Sequence, residues 1–397
     1  MSALDEEIRK AASALAAAPG VPTNWLTMFL LLVRKHDAAS LSSMIVTRAR
    51  KYGDPLSFLY YGLRELVSAH ADSETAWLAD YLAQNPALEA LADRARAGLA
   101  LRQGAWLQAL SASRRAAAGL SAALASVPSD RVFRDEVAPL IQAQGDMLVP
   151  PEALAALPQP EAELALEWLV ERGSGRGARA CLLACGDARY MAMFAPGLVD
   201  SFRHLGEDDV TLHLHLISDD EAAIAAFRDL ARSEPRLEAT VERCVRFNTY
   251  YACSRFFLAP MLLRRHRCAI VTLDLDMILV KPIGPVLDLV AGADVGRLRF
   301  ADPPLPSMLL LAGMVVLNPT PGAEAYLQRL NSVILHKLDL PRSWMLDQAA
   351  MYSVERLNEQ APFCTICDLS AHLPGHVGGL VELPEHPDKM TTRLANT

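Results

Sequence analysis

Ala269-Ile270-Val271-Thr272-Leu273-Asp274-Leu275-Asp276-Met277-Ile278-Leu279-Val280 is an apolar, β-branched run broken only by Thr272 and by two aspartates one residue apart. Such a run predicts a buried strand. Carboxylates are almost never fully buried unless paired or bound to a metal, so two of them here require a reason. In an extended chain residues i and i+2 project from one face, which would put Asp274 and Asp276 on the same side. With the strand ending near Asp274, both reach the crevice at the carboxyl edge of a sheet, where open α/β folds bind ligands. Two hard oxygen ligands there suit Mg²⁺ or Mn²⁺ shared with the phosphates of a substrate. The plainer reading is a solvated strand end carrying two unrelated acids.

The rest of the chain narrows the choice. Its 397 residues exceed the size at which one hydrophobic core usually stops growing, so two domains are expected. With 52% apolar and 21% charged residues, wholesale disorder is excluded. A net charge of −8 and no basic stripe argue against nucleic acid as a partner. Seven cysteines, an odd number lying mostly in apolar stretches, fit buried thiols in a reducing compartment. Met1 to Lys10 is acidic and lacks the basic-then-apolar layout of a signal peptide. The longest early apolar run, Trp25 to Val33, is too short to span a bilayer. No transmembrane segment and a cytoplasmic location are the expectation.

Residues 1 to about 165 read as helix after helix. Helical spacing predicts segments from Ser2 to Ala18, Trp25 to His36, Leu41 to Lys51, Pro55 to His70, Ser73 to Gln84, Ala87 to Leu101 and Gly104 to Gly119. Leu99 to Leu110 resembles the turn of a tetratricopeptide repeat, and Tyr60-Tyr61-Gly62-Leu63 a degenerate copy. Two readings stand: a concave surface for a protein partner, or an ordinary helical bundle whose Ala and Trp are core. The Pro-rich stretch from Ile141 to Pro160 reads as a connection, Glu161 to Arg172 as a further helix and Gly173 to Gly177 as a joint. Residues 166–177 thus form a linker.

From Ala178 to the end, strands alternate with helices. Strands are expected at Ala180–Ala184, Val210–Ser218, Ala239–Phe247, the Asp274 run, Asp294–Leu298, Met308–Asn318 and Phe363–Leu369, with helices between them. Leu212-His213-Leu214-His215-Leu216 alternates as a half-buried strand. The progression implies a mostly parallel, doubly wound α/β sheet.

Several constellations fall at the expected binding edge. Asp187 and Tyr190 follow the first strand, where a polar loop commonly meets a nucleotide base, although neither G-x-G-x-x-G nor a P-loop is present. Arg255 lies in the helix feeding the Asp274 strand and is suited to a forked contact with a diphosphate, or to a surface ion pair. Asp347 and Gln348 open another helix, facing a ligand or serving the helix dipole. His372 and His376 follow the last strand, as metal ligands or as loop residues. Cys364 and Cys367 face opposite sides of a strand, which disfavours a shared zinc ion. Ser254 has no nucleophile elbow.

In this order the set resembles the nucleotide-sugar transferases of the GT-A fold, particularly glycosyltransferase family 8. The Asp187…Tyr190 loop looks like that family's base-binding segment, Ala252 to Leu258 like its Ser-Arg helix, and Ala312-Gly313-Met314-Val315-Val316-Leu317-Asn318 like its Asn-Ala-Gly-hydrophobic-Asn strand. Asp347-Gln348 is similar to its Asp-Gln helix start. The resemblance covers residues 178 to about 380. It implies that Asp274, Asp276 and His372 hold Mn²⁺ or Mg²⁺, and that Asp187 and Tyr190 grip the base. Arg255, Leu275, Ala312 and Gly313 would line the nucleotide sugar, while Asp347 and Gln348 would be the catalytic residues, bordering the donor sugar and the acceptor. Leu311 replaces a sugar-contacting Asn, and Gly378 a phosphate-contacting Lys. The expectation is therefore an all-α domain (1–165), a linker (166–177) and a GT-A domain (178–397). Its activity would be transfer of a sugar from a nucleotide diphosphate, UDP in the first instance, with a leaning towards retention. By analogy the helical arm recruits a protein acceptor. The competing expectation is a nucleotide-sugar sensor without turnover; a nucleotidyltransferase would need a Gly-rich loop that the chain lacks.

Overall fold

The computed structural model describes residues 3–159, 166–172, 177–246, 248–300, 306–340, 343–373 and 381–382. Its Cα packing separates two units, one drawn from Met1–Pro150, Ala301–Leu309 and Leu340–Ser343, the other from Pro151–Phe300, Leu310–Asp339 and Trp344–Thr397.

The regular elements among the described residues of the first unit are helices: α1 (Ala3–Ala17), α2 (Pro22–Arg34), α3 (Ala38–Tyr52), α4 (Pro55–Ser68), α5 (Asp72–Ala83), α6 (Glu89–Arg102), α7 (Trp106–Ala118), α8 (Leu120–Ser126) and α9 (Ala138–Met147). Helix starts and stops follow local chemistry. Asp37 caps α3 by accepting from the Ser40 N–H, and Gly53, at φ 70°, ends it in the left-handed region that glycine tolerates. Buried Asp130 stitches the start of α4, accepting from the Leu56 and Ser57 N–H groups at 2.8 and 2.9 Å. Trp25, Phe29, Phe58 and Leu63 lie in the core, and Gly62 lets the Phe29 ring lie against the backbone of α4. Helices α5, α6 and α7 pack consecutively.

The second unit opens with α10 (Pro151–Ala155) and β1 (Glu167–Val170), then β2 (Ala180–Asp187), α11 (Ala188–Leu205), β3 (Val210–Ile217), α12 (Glu221–Arg232), β4 (Leu237–Glu242), α13 (Asn248–His266) and β5 (Ala269–Leu273). It continues through β6 (Ile278–Leu279), α14 (Gly284–Val290), β7 (Val295–Arg299), β8 (Leu310–Leu317), α15 (Pro321–Lys337), α16 (Leu346–Gln360), β9 (Ile366–Asp368) and β10 (Val381–Glu382). Among the described residues eight strands form one sheet in the order β1-β4-β3-β2-β5-β8-β7-β9, and β6 pairs with β10 apart from it.

Three sequence expectations need correction. The sheet is mixed: β2 runs parallel to β3 and β5, β3 to β4 and β7 to β9, but β8 runs antiparallel to both β5 and β7, and β1 antiparallel to β4. Residues 167–170, expected at the end of a helix, form the edge strand β1, because Trp168 and Val170 gain pairing and burial against β4 that a free helix end lacks. The β5 strand stops at Leu273, near Asp274 as expected, but the Met277 N–H donates to the Asp274 carbonyl at 3.2 Å and closes a turn that holds Asp276, so strand alternation does not set the two aspartates on one face. Of the sequence features near the linker and the C-terminus, residues 173–176 and 374–380, including His376 and Gly378, lie outside the described residues.

Helices cover both faces of the sheet. On one face Leu182, Leu212, Leu214, Val271, Leu273 and Val316 pack with Phe194, Leu198, Phe202, Ile224 and Phe227 from α11 and α12. On the other, α13 lies against β2 and β5. The β3 strand is therefore buried along its whole length, not half-buried. Its alternating histidines mark the second face rather than a wet one.

Candidate functional site

The parallel register of β2 and β5 pairs Ala184 with Leu273, so the ends of both strands share one edge. There Asp187 closes β2 and Asp274 follows β5. Gly186 is the residue that lets them meet: a Cβ on it would lie 2.7 Å from Leu275 Cδ2. Opposite, the Asp274 N–H donates to the Gly313 carbonyl of β8 at 3.0 Å. A Cβ on Gly313 would stand 3.0 Å from Asp274 Oδ2, so that glycine keeps room around the carboxylate.

Arg255 comes to this edge from α13. Its guanidinium bridges two acids, pairing with Asp274 Oδ1 through one nitrogen and with Asp347 Oδ2 at 2.9 Å through the other. Arg255 and Asp347 are buried, whereas the Asp274 side chain keeps 40% of its surface open. Burial pushes the Asp347 carboxyl up, Arg255 pulls it down and Asp274 pushes it up again; the balance leaves it above the ordinary range. Burial opposes the charge on Arg255, but the two carboxylates outweigh it and hold the cation. The second oxygen of Asp347 accepts from the Gln348 N–H at 2.9 Å. Just before this helix, Met345 takes φ 68°, an uncommon conformation for a residue with a side chain.

The other residues singled out from the sequence fall around this triad in different ways. Asp187 caps α11, its Oδ1 accepting from the Tyr190 N–H at 2.7 Å. Tyr190 is half-buried with its ring 5.1 Å from that of Phe194. The Leu275 and Ala312 side chains are buried, so these residues have backbone rather than side chain to offer a ligand. Asp276 and Gln348 are half-buried. His372 is exposed, in a short 3₁₀ turn following β9 on the same edge of the sheet.

Asp274 and Asp276 present hard oxygens from one turn, the donor type of a Mg²⁺ or Mn²⁺ ion that takes its remaining ligands from water and phosphate. One Asp274 oxygen is held by Arg255 and the other faces the space that Gly313 leaves. The donor type suits such an ion. Among the described residues, the one group of three ligating side chains whose donor atoms all lie within 4.8 Å of one another is elsewhere, His213, Glu238 and His266. Sequence reading passed over it, although two histidines two residues apart in an apolar strand were its signal.

Neither a family model nor a curated protein sequence matches the chain. Among solved structures it is similar to the bifunctional glycosyltransferase WbbM, at 16% identity and a TM-score of 0.34 over 49% of this chain and 39% of that one. The glycosyltransferase GlyE of Streptococcus pneumoniae TIGR4 is similar at 14% identity and a TM-score of 0.35, over 50% of this chain and 47% of GlyE. Mouse xyloside xylosyltransferase 1 is similar at 18% identity and a TM-score of 0.32, over 48% of this chain and 85% of that one. The chain thus spans less than half the length of WbbM and of GlyE. At TM-scores this low the description of the fold rests on strand order and register. Among the described residues no helix is long and apolar enough to cross a membrane.

Proposed function

We propose that the second unit is a metal-dependent glycosyltransferase that moves a sugar from a nucleoside diphosphate, UDP in the first instance, to an acceptor hydroxyl. One observation carries the reading. Arg255, Asp274 and Asp347, singled out from three separate stretches of sequence, meet in one ion triad at the carboxyl edge of β5. An edge where strands end and helices begin is where α/β sheets take ligands.

In this reading Asp276 and the outward oxygen of Asp274 hold Mn²⁺ or Mg²⁺ against the diphosphate, with His372 a further ligand on the same edge. The ion would offset the charge that gathers on the departing nucleoside diphosphate. Arg255 adds a fixed cation beside it and holds Asp347, whose carboxylate keeps acceptor capacity for the donor sugar. Asp187 and Tyr190 border the base, and Gln348 and the Ala312-Gly313 backbone border the sugar. In the transfer the bond from the sugar's anomeric carbon to the β-phosphate oxygen breaks, and the acceptor oxygen bonds to that carbon and gives up its proton. The helical unit is proposed to bind a protein partner or acceptor, supported by its closely packed consecutive helices.

The test is release of UDP from UDP-hexoses with Mn²⁺ or Mg²⁺ present. Asp276→Asn should lower release at least about 100-fold with its melting temperature unchanged. A wild-type protein that neither releases nor binds UDP would end the proposal. One observation favours a second reading, a nucleotide-sugar binder without turnover: Leu311, at the position of the sugar-contacting Asn, packs against the hydrophobic core. Mn²⁺-dependent UDP-sugar binding with no turnover on any acceptor would select it.

A further inference from the structure

The second face of the sheet holds a polar cluster that the proposed transfer does not use. Parallel pairing of β3 and β4 sets His213 beside Glu238 and His215 beside Thr240. The last residue of α13, His266, comes down onto the same face, and all of these side chains are buried. His266 Nε2 stands 3.4 Å from Glu238 Oε2. Yet neither His266 Nε2 nor His213 Nδ1 has a hydrogen-bond partner, although both are buried. A buried polar atom left without a partner carries a desolvation penalty, so two beside one carboxylate call for a common cause.

The surrounding bonds constrain which nitrogens carry protons. His213 Nε2 and His215 Nδ1 both lie 2.9 Å from Thr240 Oγ1. His215 Nε2 stands 4.0 Å from the nearest Glu242 oxygen, beyond hydrogen-bond reach, and has no hydrogen-bond partner among the described residues. The Thr240 hydroxyl has one proton to give, so one imidazole accepts from it and the other donates to it; an ion on His213 Nδ1 would make His213 Nε2–H the donor. That tautomer leaves a bare lone pair on His213 Nδ1. Glu238 is held likewise, its Oε1 accepting from the Arg172 N–H at 3.2 Å and leaving Oε2 for His266. Hydrogen bonds that orient each ligand from behind are a regular feature of metal sites.

We propose that His213 Nδ1, Glu238 Oε2 and His266 Nε2 form a binding site for a divalent transition-metal ion, Zn²⁺ first among them. Ligands about 2.0–2.1 Å from a tetrahedral Zn²⁺ stand about 3.3–3.4 Å apart, the separation found between His266 and Glu238. Both imidazoles are buried, and the neutral imidazole is the form that ligates. Two nitrogens and one oxygen favour Zn²⁺ over Mg²⁺ or Ca²⁺, which prefer oxygen alone. Three protein ligands leave one position for water. Trp168 closes the site from β1, its ring 5.4 Å from that of His213, with the Arg265 guanidinium 4.1 Å from the Trp168 ring. The site does not depend on the transferase reading.

The experiment loads the chelator-stripped full chain with Zn²⁺ or Co²⁺. One equivalent of Zn²⁺ should bind, X-ray absorption of the wild-type protein should show two imidazoles in the first shell, and Co²⁺ should give the intense visible bands of tetrahedral coordination. His266→Gln and Glu238→Gln should weaken binding at least about 100-fold, whereas Asp276→Asn should leave it unchanged. No bound zinc, a shell of oxygens only, or affinity retained in both variants would each overturn the proposal. The absorption measurement uses the wild-type fold, so a variant that fails to fold does not shelter it.

Discussion

Arg255 shows how one side chain ties stability to the candidate chemistry. It is buried between an acid that is open to solvent and one that is not. Removing one member of a buried pair leaves the other charge stranded, at about 3–5 kcal/mol. Arg255→Met should therefore lower unfolding free energy by about that amount in urea titrations near neutral pH. Arg255→Met/Asp347→Asn should recover most of the loss, because no buried charge remains. The pH dependence follows from Asp347, whose folded-state pKa already lies above the ordinary value. In the single variant Arg255 no longer pulls this carboxyl down, so its pKa lies higher still, and the stranded carboxylate penalises folding above that value. The penalty should fade as pH drops through it and the carboxyl takes a proton. A loss that is independent of pH would mean that Asp347 is not the stranded group.

At the scale of elements, Asp294 clasps three of them. It precedes β7, and its carboxylate accepts from the Thr320 hydroxyl at the start of α15 at 2.6 Å. It also accepts from the Thr365 N–H and hydroxyl ahead of β9, at 2.7 and 2.8 Å. Gly322 permits the clasp, since a Cβ there would lie 2.3 Å from Asp294 Cγ. Burial pushes the Asp294 carboxyl up, but the Thr320 and Thr365 hydrogen bonds outweigh it and hold it below the usual range. A lowered carboxylate pKa means stability that is present above the unfolded value of about 4 and lost as pH falls through the folded one. Asp294→Ala should cost about 1–3 kcal/mol at pH 7 and much less near pH 3. Urea titrations at both pH values check this; an equal cost at both would show that packing, not the carboxylate, is responsible. None of this was legible beforehand. Asp294 read as the first residue of a strand, and its partners lie 26 and 71 residues away.

For the whole molecule, the sheet's buried histidines set an acid limit. Burial, with neighbouring positive groups, holds His213 well below the ordinary imidazole value, and burial takes His215 down to about 4. In the unfolded chain both titrate near 6.5. Below that pH the unfolded state therefore binds protons that the folded state refuses, and stability falls as pH drops from about 6.5 towards 4. Each histidine contributes up to about 1.36 kcal/mol per pH unit over that window. His215→Gln removes one of them, so its cost relative to wild type should be about 2 kcal/mol smaller at pH 5 than at pH 7. Chemical unfolding at the two pH values measures the difference directly. A constant difference would mean that His215 titrates normally in the folded state.

Local pattern determined the succession of helices to Met147 and most strand and helix positions after Ala178, because periodicity and caps act within a few residues. It also singled out Arg255, Asp274 and Asp347. Tertiary structure decided what those residues meet. It inserted β8 antiparallel between β5 and β7, turned the chain at Asp274, drew residues 167–170 into an edge strand and brought His266 onto Glu238. Arg255 and Asp347 are 92 residues apart. Pairings of that reach are chosen by which burial and hydrogen bonds the whole chain can satisfy at once, a free energy that no short window of residues contains.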